Sequence, residues 1–220
     1  MRKNKFLTAF FVLFTLLWMS GCASIKKDAD TEVLSSMDSR MISKVMENYE
    51  DGAIHAEDVA IDKIYYGAFS QTGRSELLVL CKILNMPHVG GLEQTVGVLL
   101  DSQSLEAVAY QEFPFDEVSI NCVPASNGQS RILLIGTTIS QGIPSQCVQL
   151  LGIEEGEWIE MPIDALKTVG NDEELFCFWA EDRIIVSSQY KWTSPEEIIA
   201  ILIWNPDTEQ FTEESLPHSK

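Results

Sequence analysis

Two hydrophobic rhythms divide the chain. Between Leu34 and Tyr49, apolar residues recur at three- and four-residue steps (Leu34, Met37, Met41, Val45, Tyr49, joined by Ile42 and Met46), with Ser35, Asp38, Ser43 and Glu47 on the other side. That spacing predicts one amphipathic helix within residues 31–52, with Gly52 as its stop. Its Met-bearing stripe reads as a face packed on its own domain, because methionine commonly fills irregular core gaps. From Ile61 onward the rhythm changes to short apolar runs bounded by Gly, Pro, Asn and Asp, the signature of strands and turns.

These runs repeat. Gly73-Arg74-Ser75-Glu76-Leu77-Leu78-Val79-Leu80 aligns with Gly128-Gln129-Ser130-Arg131-Ile132-Leu133-Leu134-Ile135 at a separation of 55 residues, and Glu181-Asp182-Arg183-Ile184-Ile185-Val186 is a looser third copy. A second apolar run follows each copy: Val98-Leu99-Leu100, Val148-Gln149-Leu150-Leu151 and Ile201-Leu202-Ile203. Leu105, Trp158 and Phe211 then fall at steps of 53, and Pro114, Pro162 and Pro217 close the units. Each unit reads as a polar turn, an apolar strand, a loop, a second apolar strand, a turn and a final alternating strand such as Trp158-Ile159-Glu160-Met161. Residues 53–217 are therefore expected to form an all-β, antiparallel β-repeat, propeller-like domain. Its sheet units lie at about 61–116, 117–165 and 171–217, because a period near 50 residues is that of sheets which bury their faces by stacking.

The turn-plus-strand Thr72-Gly73-Arg74-Ser75-Glu76-Leu77-Leu78-Val79 resembles the polar-loop-then-strand element of FG-GAP/VCBS-like β-propeller repeats. That resemblance implies a propeller blade. It does not bring calcium with it, since Gln71-Thr72-Gly73 and Ser126-Asn127-Gly128 lack the family's acidic loop. Three units fall short of the four to eight blades of a closed propeller. The segment Ala53–Tyr66 as part of another blade, an open array capped by the helix, and a β-sandwich all stay open.

The first 22 residues carry a different message. Arg2, Lys3 and Lys5 precede a 14-residue apolar run, Phe6–Met19, interrupted only by Thr8 and Thr15. The run is too short for a spanning helix, which needs about 20 residues, and it stops at Ser20-Gly21-Cys22. Met19-Ser20-Gly21-Cys22 resembles the lipobox of bacterial lipoproteins, with Met19 in place of the usual Leu. The resemblance implies a signal peptide over residues 1–21, lipid on Cys22, and a membrane-anchored, extracytoplasmic protein whose polar residues 22–30 form a flexible tether.

Charge narrows the partners. The whole chain carries 15 Lys+Arg and 33 Asp+Glu, a formal charge of −18. Loss of residues 1–21 removes Arg2, Lys3 and Lys5 and no acid, which leaves 12 cations and a charge of −21. Such a field repels phosphate backbones, so no nucleic-acid partner is expected, and an envelope protein, peptide or glycan is. Four cysteines remain beyond Cys22: Cys81, Cys122, Cys147 and Cys177. An even number in an exported chain allows two disulfides in three connectivities, while their apolar neighbours equally suit buried free thiols.

Signs of catalysis are sparse. His55, His88 and His218 are the three histidines, and neither a Gly-x-Ser-x-Gly elbow nor a His-Glu-x-x-His helix occurs. The cluster His55, Glu57, Asp58, Asp62 matches no strong ligand spacing, and no metal or other cofactor is expected. Glu154-Glu155, Glu173-Glu174 and Glu196-Glu197 could supply the carboxylates of an envelope hydrolase, the alternative to a non-enzymatic binding role. Adjacent residues on a strand point apart, however, whereas a working pair spans a cleft. Phe176, Phe178, Trp179, Tyr190, Trp192 and Trp204 crowd the last unit and read chiefly as core. Trp192, in the polar, Pro-ended Tyr190-Lys191-Trp192-Thr193-Ser194-Pro195, is the candidate ligand-binding residue.

Overall fold

The computed structural model describes residues 31–49, 54–84, 93–169, 175–189 and 197–214, with backbone alone for 31–36. Helix α1 (Thr31–Asn48) forms over the 3.6-residue stripe. Met41, Val45 and Tyr49 are buried and Met37, Ile42 and Met46 half-buried on one apolar cluster, while Ser39, Ser43 and Glu47 face solvent. The expected span reached residue 52, but the helix ends at Asn48. There the Asn48 amide donates to the Lys44 carbonyl at 2.8 Å, and the buried Tyr49 turns its hydroxyl to Gln94 Oε1 at 2.8 Å.

Among the described residues twelve antiparallel strands make three four-stranded sheets, so the domain is predominantly β. The first sheet contains β1 (Val59–Gly67), β2 (Glu76–Leu84), β3 (Glu93–Asp101) and β4 (Ala107–Phe113). β5 (Glu117–Pro124), β6 (Ser130–Ser140), β7 (Ile143–Glu154) and β8 (Glu157–Met161) make the second. After α2 (Asp164–Val169) come β9 (Phe176–Ala180), β10 (Arg183–Ser187), β11 (Ile198–Asn205) and β12 (Gln210–Glu214). In every sheet the strands pair in chain order. A sandwich has two sheets; the described residues form three, and each has four strands rather than the three read from the repeat. The additional strand is the first of each sheet. β1 and β5 escape the pattern because half-exposed positions break up their apolar residues.

The sheets stack face to face through three apolar layers. α1 covers one face of the first sheet, on Leu77, Val79, Cys81, Ile83, Val96, Val98 and Leu100. The other face presents Leu78, Leu80, Leu99 and Phe113 to Ile120, Ile132, Leu134, Leu151 and Ile153 of the second sheet. The second sheet in turn packs Leu133, Ile135 and Leu150 on Ile184, Val186, Ala200, Leu202 and Phe211 of the third. Central strands buried on both faces need apolar residues at successive positions. This explains why Leu77-Leu78-Val79-Leu80 and Ile132-Leu133-Leu134-Ile135 show no alternation.

Polar ties at the turns hold neighbouring sheets together. The Tyr65 hydroxyl donates to the Ile120 carbonyl at 2.7 Å, Ser130 N–H to the Ala68 carbonyl at 2.8 Å, and Thr72 Oγ1 to the Asn127 carbonyl at 3.1 Å. The Gly73 and Gly128 turns, aligned by the repeat, are thus in contact. Between the second and third sheets, Arg131 Nε meets Glu209 Oε2 at 2.6 Å, and the Trp204 indole N–H donates to the Pro124 carbonyl at 2.6 Å.

Candidate functional site

A cleft of about 310 Å³ opens where β4 of the first sheet meets β7 and β8 of the second. Alternation along each strand selects its walls. On β4, Phe113 faces the second sheet, while Tyr110 joins the helix-covered layer and donates to Glu112 Oε1 at 3.0 Å. Gln94 Nε2 donates to the other Glu112 oxygen at 2.8 Å, so this carboxylate is engaged on the α1 side and borders the cleft through its backbone. Gln111, two residues before Phe113, shares its face. The Gln111 amide donates to the Glu112 carbonyl at 2.7 Å.

The opposite wall comes from register. Leu151 pairs with Glu160 and Ile153 with Trp158, which puts Trp158, Glu160, Leu151 and Gln149 on one face. Gln149 Nε2 donates to Glu160 Oε2 at 3.0 Å. The Trp158 and Phe113 rings meet edge to face, with centroids 5.8 Å apart at 89°, and Pro114 and Phe115 complete the lining. The β7–β8 turn is pressed on β4: a Cβ on Gly156 would stand 3.0 Å from the Val108 carbonyl oxygen. The Trp158 indole N–H is buried and makes no hydrogen bond among the described residues, an arrangement that costs about 1–3 kcal/mol.

Cys22 and Trp192, the lipidation and ligand-binding candidates, lie outside the described residues. So do Tyr190, Glu173, Glu174, Glu196 and Gly52. Glu154 and Glu155 are exposed at the β7–β8 turn, with Glu155 at φ 52°. His55 opens the turn Ala56–Asp58, where its N–H donates to Asp58 Oδ2 at 3.1 Å. Among the described residues no three His, Cys, Asp or Glu side chains gather as a metal site. In the last unit, Trp179 and Trp204 pack on Phe211 with centroid distances of 6.5 and 5.0 Å, half-buried against the layer between the second and third sheets.

In this structure Cys81, Cys122, Cys147 and Cys177 stand as thiols. Cys81, Cys122 and Cys177 sit in three different apolar layers, with a sheet between one layer and the next. Burial pushes the Cys81 thiol up to about 12, helped by the Asp62 charge, and burial alone takes Cys177 to about 12. Burial also raises Cys147, with a smaller contribution from Glu160. The thiolate is the nucleophile, so Cys81 and Cys177 are expected to resist iodoacetamide at pH 8 in the folded protein and to alkylate fully in denaturant, as read by peptide mass. Rapid labelling of the folded chain at either position would contradict this packing. Because the folded thiols keep their protons to about 12 against an ordinary 9.0, the stability they add is present below about pH 9 and lost as pH rises through about 12.

Sequence reasoning singled out Trp158-Ile159-Glu160-Met161 only as an alternating strand. That alternation already put Trp158 and Glu160 on one face; the pairing with β7 and closure by β4 were not visible in it. Compared with known proteins, the chain matches no family model, no curated protein and no solved structure.

Proposed function

We propose that the chain is an envelope lipoprotein, exported by residues 1–21, lipidated on Cys22 and tethered by residues 22–30, whose β domain is a non-enzymatic binding module. The cleft between the first and second sheets carries the binding half of this reading. Three aromatic rings and two amides surround one available carboxylate, Glu160, while the Glu112 carboxylate is engaged behind the sheet. An acid-base hydrolase needs two carboxylates facing one cleft, so this lining favours holding a ligand over cleaving one. Consecutive four-stranded meanders stacked face to face also support the propeller-like reading, as a three-blade arc with α1 on its first face.

The address is tested by intact mass of the membrane-associated protein, with and without an inhibitor of the lipoprotein signal peptidase and with a Cys22→Ala control. The expected product begins at Cys22, carries diacylglyceryl mass, and disappears in the control. A chain that begins elsewhere without lipid would overturn the anchor.

A further inference from the structure

Resting on the binding reading above, we propose that the cleft between the first and second sheets is a site for a short stretch of neutral saccharide. The ligand class follows from the order of chemistry across the walls. Trp158 and Phe115, both half-buried, supply flat apolar surface backed by the buried Phe113, and the C–H faces of a sugar ring stack on such rings while its hydroxyls point sideways. Where those hydroxyls would emerge, the structure holds Gln149 and Glu160, joined at 3.0 Å. That bond uses one Gln149 amide hydrogen and one Glu160 oxygen. It leaves a second amide hydrogen, the Gln149 amide oxygen and the other Glu160 oxygen for a ligand. Adjacent sugar hydroxyls each donate and accept, so a paired amide and carboxylate match them on both counts. Gln111, on the facing wall, donates to the Glu112 carbonyl and keeps its own amide oxygen as an acceptor toward the ligand.

Charge selects among saccharides. Among the described residues no cation lines the cleft, Glu160 is an acid, and the whole chain carries −18, so uronic acids and phosphate-bearing glycans are repelled. A cationic peptide would be drawn by the net charge but would meet amide donors and a single carboxylate already sharing a hydrogen bond, a poor cage for an ammonium group. The volume, about 310 Å³, is at the small end of ligand sites, which run from about 300 to 1,000 Å³, and suits a short segment of a glycan chain.

The test is calorimetric and fluorescence titration of the detergent-purified full chain. The probes are N-acetylglucosamine tetramer, cellotetraose and maltotetraose as neutral saccharides, tetragalacturonate as the anionic control and tetralysine as the cationic peptide. At least one neutral tetramer is expected to bind and to shift tryptophan emission, and tetragalacturonate is not. Gln149→Ala should weaken binding about tenfold, the effect of a lost hydrogen bond near 1.4 kcal/mol. Trp158→Phe, which keeps a ring in place, should remove the emission change while leaving weakened binding. Unchanged melting temperatures establish that both variants are folded. Glu160→Gln should keep neutral binding and relax the exclusion of tetragalacturonate. Binding of tetralysine alone, sensitive to Trp158→Phe, overturns the saccharide but leaves a binding module; no binding by any probe overturns both.

Discussion

Glu76→Ala is expected to lower stability by about 3–5 kcal/mol, a large share of the roughly 5–15 kcal/mol that holds a domain folded. Glu76 opens β2 and is fully buried. One carboxylate oxygen accepts Phe69 N–H at 2.7 Å and Ser70 N–H at 2.8 Å, and the other accepts the Ser70 hydroxyl. Phe69, itself buried, inserts into the layer between the first and second sheets, so this one side chain shapes the β1–β2 connection that docks on Ser130. Alanine would strand two backbone donors without an acceptor. Arg74, 3.8 Å from Glu76 with its own side chain about half exposed, contributes much less, and Arg74→Ala should cost under about 1 kcal/mol. Glu76→Gln keeps one carbonyl oxygen and should fall between the two. Urea unfolding of the three variants decides the matter; a Glu76→Ala loss below that of Arg74→Ala would show that the buried carboxylate is not the organising group.

Gly136→Ala is expected to cost about 1–3 kcal/mol through a collision, and to be rescued by a second substitution. Gly136 lies within β6, opposite Val118 and Cys147, and the Phe115 ring lies directly on it. A Cβ there would stand 2.4 Å from Cγ and Cδ2 of that ring and 2.6 Å from Cε2. Because Cγ is the near end of the side chain, the whole ring must move, and it must move within the cleft that it helps to line. Phe115→Leu removes the fixed ring, so the double variant Gly136→Ala/Phe115→Leu should recover most of the loss relative to Phe115→Leu alone. Thermal melts of the four proteins form a double-mutant cycle whose coupling term is expected near the size of the single Gly136→Ala effect. Additivity within about 0.5 kcal/mol would mean that Phe115 does not press on this glycine.

Both positions illustrate what residue patterns convey. Gly136 reads as one glycine within an apolar run, and Glu76 as one polar residue at the edge of a strand; neither shows its partner, because Phe115 and Phe69 are brought to them by turns. The cysteines behave likewise. Their apolar neighbours announced burial, and their even number allowed bridges, but only stacking in different layers separates Cys81 from Cys177.

Local periodicity by itself determined that α1 would form and which of its sides would be buried. The repeat determined that Leu77–Leu80, Ile132–Ile135 and Ile184–Val186 would be equivalent strands, and aromatic content determined that Trp179 and Trp204 would pack against the core, where they are half-buried. These are properties of single elements, set by 3.6- and 2-residue side-chain periods and by the area an aromatic ring must bury. Tertiary structure decided what depends on pairing between elements: the added first strand of each sheet, the end of α1 at Asn48 where Tyr49 reaches Gln94, and the cleft shared by β4, β7 and β8. Those features arise from the pairing of one strand with the next and from the stacking of one sheet on another, and the side-chain period of a single element reports neither.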